Sequence, residues 1–200
     1  MSMIKRLLSK KIKISLLKIL PLIGIYYKNQ DEDRVILENT VLPYFIHNQD
    51  YQRIIFIGVA WYTMEYNKLF QEKEFCTIDY NPKMKIYGSK RHIVDSMENL
   101  DRYFEENSVD LIICNGVFGW GLDDPQIVER AFKVCYDLIR KNGVFIIGWN
   151  DLPDHRPIPL EKCKALQLFD PNVFEPLGVQ TKLCTTQNRH TYSFYIKSQD

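Results

Sequence analysis

Two aspartates and a glycine pose the chemical question. Gly58, Asp79 and Asp95 each close a short apolar run. A carboxylate can accept hydrogen bonds from both hydroxyls of a vicinal diol. Asp79 lies 21 positions after Gly58, close to the ~20-residue interval at which an acid takes ribose hydroxyls in a dinucleotide fold. Asp95, one apolar run further on, can accept from an exocyclic amine such as that of adenine. Glycine at the bend allows a tight turn and keeps a side chain from blocking a ligand's approach to the backbone. The plainer role of each acid is to cap a turn or helix.

Around this trio lie rings and possible bases. Residues 115–121 read Asn-Gly-Val-Phe-Gly-Trp-Gly. Phe118 and Trp120, with Trp61, Tyr62 and Trp149, can form an aromatic pocket that grips a planar substrate or receives a cation; core packing is the competing role of each ring. His155 suits proton removal near neutrality, and Asp151 is a second candidate base. A solvated loop histidine is the alternative for His155. His92 begins a strand at the wrong end, and His190 begins the last strand, an expectation that places it far from the site.

The elements that must position these groups alternate. Residues 53–57 are too short and too β-branched for a helix and read as a strand buried on both faces. A helix is expected over residues 63–73, a strand over 74–79, a third over 91–95, a helix from Ser96 to Phe104, and a fourth strand over 109–115. Asp124 and Pro125 open the clearest helix, whose apolar positions run from Ile127 to Ile139, with 140–143 as its stop. A fifth strand covers 144–149. A loop rich in proline, a short helix over 162–169 and an antiparallel hairpin over 178–186 and 190–197 follow. Alternation of this kind implies one α/β domain over residues 49–200, with a doubly wound, mainly parallel sheet closed by the hairpin. Residues 1–48 precede it as a helical extension, split by Pro43 and suited to act as a lid or docking element.

Composition is that of an ordinary globular chain: 46% hydrophobic and 26% charged residues, with a formal net charge of +1, which does not favour nucleic acid as a partner. The five cysteines are scattered, without CxxC or a Cys/His cluster, so no metal site is expected and a reducing, cytoplasmic setting fits. Residues 1–28 are basic and lack acids. Their uncharged run is far shorter than the ~20 residues of a membrane span. They read as a helical arm packed on the domain or a partner, or as an amphipathic segment in peripheral contact with a membrane. The oligomeric state is left open.

From about residue 53 to residue 197 the chain resembles the class I S-adenosylmethionine-dependent methyltransferases. The features come in the same order: glycine loop, acid ending strand two, acid after strand three, Asp-hydrophobic strand four, Asn-Gly before strand five, closing hairpin. The resemblance implies a Rossmann-like fold and S-adenosylmethionine as cofactor. It places the methionine part at Gly58 and Ala60, the ribose at Asp79 with Tyr80 beside it, the adenine amine at Asp95 with Ser96 beside it, and the transferring methyl at Asn115. The first loop departs from the family. Phe56 replaces an acid, Ala60 the second glycine and Tyr62 the third. Tyr62 cannot copy a glycine of positive φ cheaply, so this loop must take its own path. The expected activity is methyl transfer to oxygen or nitrogen of a small molecule. The alternative is a non-catalytic partner or scaffold of the same shape, motivated by the altered loop. A nicotinamide-dependent reductase lacks the full G-x-G-x-x-G spacing. A nucleic-acid methyltransferase lacks an Asn-Pro-Pro-aromatic signature, since this chain has Asn115-Gly116-Val117-Phe118.

Overall fold

The computed structural model describes residues 19–26 and 30–198; most of the basic segment 1–28 lies outside them. Eight strands form one sheet: β1 (Arg53–Ile57), β2 (Glu74–Ile78), β3 (Arg91–Ile93), β4 (Val109–Asn115), β5 (Ile139–Asn150), β6 (Asp170–Pro171), β7 (Thr181–Leu183) and β8 (His190–Ile196). Their order is β3-β2-β1-β4-β5-β8-β6, with β7 also paired to β8. β1 to β5 run parallel to one another. β8 is antiparallel to β5, β6 and β7. The chain order reverses between β1 and β4, so the switch-point crevice opens at the ends of these two strands.

The central strands are apolar on both faces because both are covered. Ile55, Ile57, Ile112, Cys114, Phe145 and Ile147 pack on one side with Ala131, Phe132 and Cys135. Those three belong to α4 (Pro125–Leu138), whose first turn is capped by Asp124 accepting from the Gln126 and Ile127 amides. Ile54, Phe56, Leu111, Ile113, Val144 and Ile146 pack on the other side with Leu37, Val41, Leu42 and Phe45. These come from α1 (Glu32–Ile36), the wide π turn Leu37–Val41 and α2 (Leu42–His47). Pro43 stands in the first turn of α2, and the chain widens just before it. A proline clashes with the carbonyl four residues back and lacks an amide proton, which accounts for the wide turn. Residues 36–46 thus share a core with the sheet.

Several connections are shorter than their sequence pattern suggests. Residues 63–73 hold one turn of α-helix, α3 (Tyr66–Leu69), after a 3₁₀ turn at Trp61–Thr63. Residues 96–104 form a 3₁₀ segment, Met97–Arg102. In place of a helix over 162–169 there are two 3₁₀ turns, Leu160–Lys162 and Leu166–Leu168. β5 starts at Ile139, directly after α4, where residues 140–143 were expected to be a helix stop. Among the described residues no helix is long and apolar enough to cross a membrane.

Candidate functional site

A cleft of about 230 Å³ opens at the carboxyl ends of β1, β2 and β4. Gly58, Tyr62, Asp79, Tyr80, Asp95, Ser96, Asn115 and Trp120 all line it. The two acids therefore share one cleft with the glycine bend.

Gly58 turns the chain at φ +84°. A methyl group added there would meet Val117 Cγ2 at 2.5 Å and the Asn115 carbonyl at 3.1 Å. The neighbour that forbids a side chain is thus the end of β4, not a ligand. The three amides of the bend are all used inside the protein. Gly58 N–H donates to the Ile78 carbonyl at 3.0 Å, Val59 N–H to Asp79 Oδ2 at 3.1 Å and Ala60 N–H to Thr63 Oγ1 at 3.0 Å. Tyr62 sits in the following 3₁₀ turn and has no positive φ. That is the separate path the substituted loop requires.

Asp79 braces the cleft. Its Oδ2 takes the Val59 amide and its Oδ1 takes the Asn81 amide at 2.9 Å. A carboxylate has further lone pairs on each oxygen, so it retains acceptor capacity toward a diol. Asp95 is held more fully. Oδ1 accepts from the Ser96 amide and Asn99 Nδ2, and Oδ2 from Tyr103 Oη, each at 2.8 Å. The Asn99 amide, then the Tyr103 hydroxyl and the Ser96 amide, hold its carboxyl below the usual aspartate range. The turn-capping role is therefore present at Asp95 alongside its place in the cleft wall.

The loop after β4 is built on glycines. Gly116, Gly119 and Gly121 have φ of +68°, +75° and +108°. A Cβ on Gly116 would meet nothing within 4 Å, so this backbone is open to close approach. The rings part company. Trp120 is 52% exposed on the rim, as is Tyr80 at 63%. Phe118 is fully buried and stacks on Phe132 at 6.0 Å, so it anchors the loop from below and is not in the cleft lining. Trp149 is also displaced from the expected pocket. It turns edge-on to Phe118, donates from Nε1 to Ser193 Oγ at 3.1 Å and borders a separate depression with Leu166 and Phe169. Alternation along β5 sends it to the α4 side of the sheet, with Phe145 and Ile147. Trp61 packs edge-on against Tyr62 with centroids 5.3 Å apart, outside the cleft lining.

His155 stacks on Trp120 with ring centroids 4.2 Å apart and planes 14° from parallel. Its Nδ1 lies 3.1 Å from the Gly119 carbonyl. A carbonyl only accepts, so Nδ1 carries a proton and Nε2 is the nitrogen a neutral ring would have to accept with. Asp151, the other candidate base, is ion-paired with Arg156 and, at 2.8 Å, with Arg189. These ion pairs link the loop after β5 to the loop before β8, and Asp151 is not among the cleft-lining residues.

One residue set aside on sequence grounds stands next to the site. His190 is 7% exposed, and its Nε2 lies 3.1 Å from Asn115 Oδ1 while Nδ1 lies 2.9 Å from Asn150 Oδ1. β8 is antiparallel to β5 with His190 opposite Asn150. The first residue of an antiparallel strand therefore arrives at the carboxyl end of its parallel neighbour. The sequence signal for this was the hairpin itself. A second residue that sequence reasoning missed is Arg34, whose guanidinium lies 4.2 Å over the Tyr62 ring.

Residues 57–147 match a family model described as a methyltransferase domain. No curated protein matches the chain. Among solved structures, the N-methyltransferase NodS from Bradyrhizobium japonicum WM9 is 14% identical with a TM-score of 0.61, covering 81% of this chain and 95% of its own. The same protein in complex with S-adenosyl-L-homocysteine gives 14% identity and a TM-score of 0.58, covering 86% of this chain and 94% of that one. A SAM-dependent methyltransferase from Archaeoglobus fulgidus is 15% identical with a TM-score of 0.56, covering 80% of this chain and 91% of its own. These likenesses show the fold, and the family match lies on the strands and loops that build the cleft: residues 57–147 are similar to a methyltransferase domain.

Proposed function

We propose that the protein transfers a methyl group from S-adenosylmethionine to oxygen or nitrogen of a small molecule, in the cleft between Gly58, Asp79 and Asn115. The observation that carries this is Asp79. It is the carboxylate that ties the β1 bend to the β2 end, yet it keeps acceptor capacity toward the cleft.

The residues fit the cofactor. Asp79 would hold the ribose hydroxyls, and the wall formed by Asp95, Ser96 and Met97 would take the adenine. The open backbone at Gly116 allows close approach near the end of β4. Asp79, Asp95 and Glu98 are in the lining, with no lysine or arginine among the lining residues, a field suited to a cationic sulfonium. The sulfonium supplies an electrophilic methyl, and what remains for the protein is alignment of donor and acceptor. Tyr62, Tyr80 and Trp120 form an aromatic rim for the acceptor. His155 would receive the proton of a hydroxyl or ammonium acceptor at Nε2, since Nδ1 is committed to Gly119. A cleft of about 230 Å³ supports a small acceptor over a folded macromolecule.

Calorimetry with S-adenosyl-L-homocysteine tests the cofactor assignment. The unaltered protein is expected to bind it saturably and Asp79→Ala to lose that binding; equal affinity in both counts against this site. Incubation with a radiolabelled methyl donor and fractionated cell extract then tests the acceptor class. Label in small-molecule fractions is expected, and label confined to protein or nucleic acid would overturn the acceptor assignment.

A further inference from the structure

We infer that His190 is a positioning residue, which fixes the side-chain amide of Asn115 so that its nitrogen faces the cleft as a hydrogen-bond donor. The inference rests on the cofactor site just described and deepens it.

Three observations converge on Asn115. Its Oδ1 points away from the cleft, 3.1 Å from His190 Nε2. Gly148 makes this possible, since a Cβ there would lie 1.8 Å from Asn115 Oδ1 and 3.0 Å from His190 Nε2. The amide thus occupies the room that a side chain on β5 would fill. Finally, Asn115 lines the cleft while His190 and Asn150 border a different, polar depression, so the imidazole reaches the cleft through the Asn115 amide.

The protonation state sets the direction of the bonds. Burial, then the positive charge of Arg34, push His190 down to about 4, so the ring is neutral near pH 7. A neutral imidazole donates from one nitrogen and accepts at the other. It cannot donate to Oδ1 of both Asn115 and Asn150. Amide oxygen and nitrogen are placed by their hydrogen-bond partners, and one of the two amides must give its NH₂ to the ring. With Asn115 Oδ1 kept where it stands beside Gly148, that part falls to Asn150. Nε2–H of His190 then donates to Asn115 Oδ1, Nδ1 accepts from the Asn150 amide, and Asn115 Nδ2 is left toward the cleft. Among the described residues no protein group takes that Nδ2. A donor is what this end of the cleft needs. The amides of Gly58, Val59 and Ala60 are already engaged, and Gly116 N–H donates to the Gly148 carbonyl at 2.8 Å. An amino-acid carboxylate at this end would find its donor in Asn115.

Two measurements test this. The first needs no variant of altered packing. Nitrogen-15 spectra of the histidine rings report the tautomer, and His190→Gln identifies which of the four histidine signals is His190. The proton is expected on Nε2; a proton on Nδ1 reverses the chain of bonds and overturns the inference. The second is a double-mutant cycle read by S-adenosyl-L-homocysteine calorimetry. His190→Leu is expected to weaken binding by about tenfold, the worth of one lost hydrogen bond. His190→Gln, which can still donate, is expected to restore most of it. In an Asn115→Ala background His190→Leu should add nothing. Unchanged affinity for His190→Leu, or the same loss with and without Asn115, overturns the positioning role. If the unaltered protein does not bind this ligand, the cofactor reading fails, and the tautomer measurement still judges the His190 arrangement by itself.

Discussion

At the scale of single residues, the site is a set of backbone amides and carbonyls that side chains have learned to occupy. Asp79 and Asp95 are alike in sequence, each ending an apolar run. They differ because Asp79 reaches across to the Val59 amide, whereas Asp95 is closed over by Ser96, Asn99 and Tyr103 of its own segment. Glycines differ as sharply. Gly116 is open, while a Cβ on Gly119 would sit 2.1 Å from the His155 carbonyl oxygen, at a φ of +75°. Gly119→Ala therefore meets backbone, which cannot swing aside, and a left-handed conformation that itself disfavours a side chain by about 1–2 kcal/mol. The expected outcome is that the Gly116–Gly121 loop loosens and the Trp120–His155 stack parts. Hydrogen exchange at the Trp120 and Leu122 amides, which bond to the Val117 carbonyl, should quicken in this variant while S-adenosyl-L-homocysteine still binds. Unchanged protection would show that the loop absorbs the methyl group.

At the scale of elements, the post-β4 loop is a run of glycines of positive φ anchored by one buried ring. Phe118 is fully buried between Phe132 and Trp149, and Trp120 lies on the surface three residues before Asp123. Phe118→Ala is expected to lower the unfolding free energy by about 3–5 kcal/mol, measured by denaturant titration. Trp120→Ala should stay within about 0.5 kcal/mol of the unaltered protein, as exposed positions do. A small effect of Phe118→Ala would mean that the loop is held by its backbone bonds instead. The sheet shows the same economy at its other edge. The Asp110 carboxylate accepts from the Gln52 and Arg53 amides at 2.8 and 2.6 Å and pairs with Arg140. It fixes the starts of β1, β4 and β5 opposite the cleft.

At the scale of the whole molecule, β8 links the cleft to stability through His190. Its folded value, about 4, lies below the ordinary histidine value of 6.5. The unfolded chain therefore binds a proton in that interval that the folded chain does not. Stability is full above about pH 6.5 and declines as the pH falls toward 4, by on the order of 3 kcal/mol from this group. Asp95 and Glu32, both held below their ordinary values by hydrogen bonds, add losses at still lower pH, as they protonate. Burial raises Asp33, and its contribution has the opposite sign. Thermal midpoints recorded from pH 7 to 4 should fall, and His190→Gln should remove much of the slope between 6.5 and 4. An equally steep slope in that variant would assign the loss to other groups.

The amino-acid sequence alone determined the layers and the alternation of the sheet's main strands with helical segments. Runs such as 54–57 and 111–114 are apolar at every position, as suits a strand covered on both sides. It also determined that Gly58, Asp79 and Asp95 meet, because consecutive parallel strands bring their carboxyl ends to one edge. What only the tertiary structure decided was which side chains at that edge face the ligand. Phe118 and Trp120 sit two positions apart in one loop with opposite fates, and Trp149 is turned away by the alternation of β5. The 3₁₀ segments were illegible for a related reason, since a few residues at helical spacing do not reveal whether a full turn can be completed. His190 shows the same limit from the other direction. Nothing within residues 187–193 marks it as part of the site. It arrives there because an antiparallel strand enters the sheet where its parallel neighbour ends, and because Gly148 leaves room for the Asn115 amide to meet it.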